Sequence, residues 1–112
     1  MQQNTISAAD CQSTVNVLNW FKETENSSAL LLTHTAFYGW ALLTLEEKQV
    51  SNYGFGDPAS AASAAAQKGQ TQIYLIWWVS GQGWYEQSSL PSSFNEVYRN
   101  GNVAIYSYNS IP

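Results

Sequence analysis

Residues 73–80 read IYLIWWVS, and this run constrains the fold more than any other part of the chain. Successive side chains of a β-strand point to opposite faces. Ile73, Leu75, Trp77 and Val79 therefore share one face, and Tyr74, Ile76, Trp78 and Ser80 share the other. Both faces are apolar, which predicts a central strand covered on both sides. A chain containing such a strand must supply two covering layers, and helices are the natural source.

Residues 57–69, DPASAASAAAQKG, carry the clearest helix signature. Asp57 is placed as N-cap and Pro58 as the first helical residue, where its missing N–H costs nothing. The alanines have the best helix propensity, Gly69 stands at the stop position, and Lys68 lies near the negative end of the dipole. All side chains here are small, so this helix can lie close to a sheet. A second helix is expected from Ser7 to Glu25, opened by Ser7 and Asp10 with capping-box spacing, with Cys11, Val15, Leu18 and Phe21 as its apolar stripe. A third, short helix is expected from about Pro91 to Asn100, with Phe94, Val97 and Tyr98 on one face and Asn100-Gly101 as its stop.

Strands are expected at Ala29 to Thr35, Ile73 to Ser80 and Asn102 to Tyr108. Another is expected at Trp40 to Leu45, although Phe37, Trp40, Ala41 and Leu45 also fit a helix. After the glycine turn 81–83, Trp84 to Gln87 reads as a short returning strand. Paired strands joined by turns point to an α+β domain spanning 1–112. Its sheet is expected to be mostly antiparallel, of about five strands, with two to three helices packed on it.

Composition narrows the function. The 112 residues include 45% hydrophobic and 14% aromatic side chains, enough for one core. Only 11% are charged and the formal net charge is −4. Lys22, Lys48, Lys68 and Arg99 are scattered, so nucleic-acid binding is not expected, and an anionic membrane surface would repel the chain. Ser, Thr, Asn and Gln together number 39 and replace the missing charge. Such a surface repels itself weakly, which favours self-association. Cys11 is the only cysteine, and the first twelve residues show no secretory pattern, so a reducing, cytoplasmic setting is expected.

Catalytic signatures are missing from the pattern. His34 is the only histidine, and a constellation of Cys11, His34 and Glu46 has no supporting motif. His34 reads as a hydrogen-bonded structural residue and Cys11 as a small buried hydrophobe. Neither zinc nor calcium ligands cluster, and Glu46-Glu47 read as a solvated element end. The glycines of 52–60 precede a helix start but follow no phosphate-binding spacing, so no cofactor is expected. Trp77 reads as core.

The remaining aromatics suggest contact surface. Trp84 and Tyr85 follow a glycine turn and read as a rim, Tyr53 and Phe55 lie in the 52–57 segment, and Trp78 falls on the second face of the central strand. These five are the candidate binding residues. The expected function is a small non-catalytic protein-interaction domain, of an accessory, inhibitor or immunity type. The alternative is a small-ligand or carbohydrate-binding module using the aromatic residues of 52–57 and 81–87. A homodimer is expected through Tyr74, Ile76 and Trp78, with Tyr106 and Tyr108 extending the same face.

Overall fold

A computed structural model describes residues 8–25, 28–54, 58–78 and 93–108. In chain order the elements are α1 (Ala8–Thr24), β1 (Leu30–His34), α2 (Thr35–Leu42), a 3-10 turn at Glu47–Gln49, β2 (Val50–Gly54), α3 (Pro58–Gln67), β3 (Ile73–Trp78), β4 (Phe94–Asn100) and β5 (Val103–Tyr108). The α+β class holds, with five strands and three helices among the described residues. The sheet order is β2-β1-β3-β5-β4. β1 runs parallel to β2 and β3, while the β3–β5 and β5–β4 junctions are antiparallel.

The parallel half follows from two helical crossovers. β1 passes straight into α2, which leads to β2, and β2 leads through α3 to β3 on the far side of β1. Crossovers are right-handed, so α2 and α3, which carry the chain in opposite directions across the sheet, lie on opposite faces. α2 rests on β1 and β2 and touches α1, which covers β4 and β5. α3 rests on β1 and β3. Both faces of β3 are thereby covered over its described side chains, Ile73 to Trp77. Ile76 and Leu75 are fully buried and Trp77 is 1% exposed.

The α1 face is closed at Tyr74. Its ring meets Phe21 edge-on at 5.3 Å, and its hydroxyl donates to the Glu25 carboxylate at 2.8 Å. Burial, then that bond and its charge, push the Tyr74 phenol up to about 12. The α1 stripe that reaches the core is Thr14, Val17, Leu18 and Phe21. Val15 and Cys11, which the sequence spacing places on the stripe, are half-buried at its margin.

Local signals explain the ends of elements. At α3 the Gly69 N–H donates to the Ala66 carbonyl at 3.0 Å and the Gln70 N–H to Ala65 at 3.2 Å. Gly69 takes φ +99°, so this is a Schellman stop with glycine in the left-handed position. Between β4 and β5 the two-residue loop is Gly101-Asn102, with Gly101 at φ +62° and Asn102 at negative φ. Those signs suit a type II′ turn, which matches the twist of the flanking strands. Gly101 also sits against α1, where a Cβ would collide with the Ser13 Oγ.

Three sequence expectations are corrected. Phe94–Asn100 is a strand, not a helix, because Gly101-Asn102 is a hairpin turn rather than a helix stop. Trp40 to Leu45 is not a strand. Trp40 to Leu42 belongs to α2, as the helical spacing of Phe37 and Ala41 also allowed. Val50–Gly54, to which the sequence reading gave no strand, is the edge strand β2. The returning strand Trp84 to Gln87 lies outside the described residues.

Candidate functional site

The outer side of α2 carries the most exposed apolar surface described. Phe37, Ala41 and Leu45 face inward and are buried. The opposite side carries Thr35, Gly39 and Leu42, at spacings of four and three, and Leu43 follows in the turn just past the helix end. Leu43 is 82% exposed and Leu42 38%. Half-buried Tyr38 and Trp40 flank the stripe. A surface helix ordinarily carries charge on its outer face. Here no Asp, Glu, Lys or Arg occurs from Asn26 to Leu45. Gly39 is exposed, and a Cβ there would meet nothing within 4 Å. Glycine inside a helix costs about 1 kcal/mol relative to alanine, and no contact with the described residues requires it.

A second cluster lies on the β4–β5 hairpin, on the side away from α1. Cross-strand partners share a face. Phe94 pairs with Tyr108, Glu96 with Tyr106 and Arg99 with Ala104. A bulge between Glu96 and Tyr98 leaves Val97 as the extra residue. It re-phases the strand, so that Glu96 and Arg99, three apart, fall on one face. Their side chains meet bidentately, Arg99 Nη2 to Glu96 Oε1 at 2.9 Å and Nε to Oε2 at 3.2 Å. Burial, and then the Glu96 charge, raise the Tyr106 phenol above its ordinary value, with Arg99 acting in the opposite sense. The Phe94 and Tyr108 rings are 5.1 Å apart. On the α1 side of the same hairpin, Tyr98 stacks on Trp20 at 4.7 Å and Asn16 donates to the Asn100 side chain at 3.3 Å.

The residues singled out by sequence are placed as follows. Tyr53, near the end of β2, is half-buried and meets the buried His34 ring edge-on at 6.3 Å. It packs against the core. Trp78 ends β3 opposite Val103, and its side chain is outside the described residues. Trp84, Tyr85 and Phe55 also lie outside them. On the face expected to hold a dimer, α1 packs on the half-buried Tyr74 and Ile76 is fully buried. Register also places Tyr106 opposite Leu75, so it shares a face with Leu75 and not with Tyr74. Sequence reasoning missed Gly39, Leu42 and Leu43. The readable signal was an uncharged stretch with outer positions at helical spacing.

His34 and Cys11 are not brought together. His34 ends β1, and alternation puts it on the α3 side, while Cys11 lies on α1 across the sheet. Burial holds the His34 imidazole well below its ordinary 6.5, at about 4. Among the described residues no group of three or more His, Cys, Asp or Glu comes together. Glu46 and Glu47 are exposed, Glu46 beside Lys48 at 3.6 Å. No described helix is long and apolar enough to cross a membrane. No protein-family model, no curated protein and no solved structure matches the chain.

Proposed function

We propose that this chain is a small, non-catalytic protein-interaction domain, of an accessory, inhibitor or immunity type, whose contact surface is the outer stripe of α2. The observation that carries the reading is Leu43, 82% exposed in the turn that follows Leu42, at the end of a helix with no charged residue. Large apolar side chains grouped on an uncharged surface gain most by being covered by another macromolecule. Nucleic acid is a poor candidate, since Lys48 and Arg99 are already paired with Glu46 and Glu96. The setting proposed is the cytoplasm, where a lone thiol such as Cys11 stays reduced. The test is quantitative affinity capture from the source lysate with the wild type and with Leu43→Glu. Proteins retained by the wild type and lost with the variant are the expected result. Identical captured sets would move the contact surface away from α2.

The hairpin cluster favours a second reading, a small-ligand or carbohydrate-binding module. Glu96, Arg99 and the half-buried Tyr106 and Tyr108 share one face, and that combination offers stacking with hydrogen bonding to hydroxyl groups. Calorimetric titration with a panel of neutral oligosaccharides tests it. Heat of binding that disappears in Arg99→Ala supports this reading, and silence across the panel removes it.

A further inference from the structure

We infer that the occupant of the α2 stripe is a second copy of this chain, with the two α2 helices crossing antiparallel about a two-fold axis at Gly39. The inference rests on the reading of α2 as the contact surface and adds the identity of the partner. Three observations lead to it.

Gly39 supplies the crossing point. It lies in mid-helix at ordinary negative φ, with open space where a Cβ would stand. A helix without a side chain at that point admits another backbone closely. Leu42 and Leu43, three and four residues on, then project into the notch beside the partner's Gly39.

Charge selects the antiparallel copy. The first turn of α2 contains no acidic residue, so its positive dipole end has no carboxylate of its own. The exposed Glu46 and Glu47 follow shortly after the other end of the helix. An antiparallel crossing at Gly39 carries each Glu46-Glu47 pair toward the start of the partner's α2, and the two-fold axis does so twice. Lys48 offsets one carboxylate of each pair, so a parallel pairing would instead bring two net-negative clusters together.

Net charge points the same way. The chain is only −4 overall, so two copies repel weakly, and the stripe from Thr35 to Leu43 adds no charge to the contact. That net charge also disfavours an anionic lipid surface as the occupant.

Sedimentation equilibrium over a wide concentration range is the first measurement. The wild type is expected to approach twice its 12.4 kDa chain mass. Leu43→Glu is expected to weaken association by about a hundredfold while keeping the wild-type circular dichroism and urea midpoint. Gly39→Ala separates the role of the glycine. It should raise monomer thermal stability through helix propensity and weaken the dimer by filling the notch. Gly39→Cys in a Cys11→Ser background should form an intermolecular disulfide on mild oxidation, whereas Ala64→Cys on the exposed side of α3 should not. A dimer that survives Leu43→Glu, or that fails to cross-link through Gly39→Cys, overturns the inference. A wild type that stays monomeric also overturns it. If Leu43→Glu still loses a different captured protein in that case, the interaction reading stands with another partner. If capture is unchanged as well, both fall.

Discussion

Trp77 is the largest fully buried side chain described, set on the α3 side of the central strand opposite Ala104. Its truncation to alanine should destabilise the fold by about 3–5 kcal/mol, because a large cavity replaces a packed indole. Urea unfolding measures this, and an unchanged midpoint would place the residue at the surface. His34 adds a pH dependence. Its imidazole takes a proton near 6.5 in the unfolded chain but only near 4 in the folded one. Between those values the unfolded state binds more protons, so stability rises with pH. The contribution is complete above about 6.5 and is lost as pH falls toward 4, amounting to about 3 kcal/mol in all. Urea midpoints from about pH 7 down to about pH 5 should therefore fall, above the range where carboxylates titrate, and His34→Phe should flatten that slope. At this scale the sequence was informative about Trp77, because apolar residues on both faces of a strand leave a tryptophan there no solvent. It was uninformative about Leu43, whose exposure depends on which side of α2 meets the sheet.

Elements were legible where local chemistry fixes their ends. Pro58 opens α3 and Gly69 closes it, where the Schellman bonds at Ala65 and Ala66 realise the signal, while Asp57, read as the N-cap, lies outside the described residues. β4 was illegible for an equally local reason. Its bulge inserts Val97 and breaks the two-residue alternation, so Phe94, Val97 and Tyr98 mimic helical spacing. α2 posed the reverse problem, since an aromatic-rich helix with no charge on either side resembles a strand. β2 is a short edge strand, VSNYG, with little apolar content to announce it. The hairpin turn yields a prediction at this level. Gly101→Ala forces a Cβ into the left-handed region and against Ser13 on α1, and should destabilise the fold by about 1–2 kcal/mol. Adding Ser13→Gly should recover part of that loss, namely the steric part, in a double-mutant cycle followed by thermal unfolding. Full additivity would show that the α1 contact plays no role.

For the molecule as a whole, the need for two covering layers was readable from residues 73–80, and α1 and α3 meet it. Strand order was not readable, because pairing is a property of distant segments and leaves no mark in a local window. β3 is the seam, parallel to β1 on one side and antiparallel to β5 on the other. The two sides differ in the chain length that must be closed. β4 and β5 meet across two residues, whereas Leu30 must find Ile73. Closing long loops before their contacts form slows folding, so refolding should be slower than for helical domains of this size. Stopped-flow φ-values should be high at Ile105 and low at Leu32. During synthesis the order of events is less favourable still. β1, with its LLLTH, leaves the ribosome with no strand beside it until β2 is made, and β3 follows later. The newborn chain therefore carries a hydrophobic strand that is unpaired until β2 and paired on one side only until β3, and a chaperone that shields short apolar segments would find its target at residues 30–34.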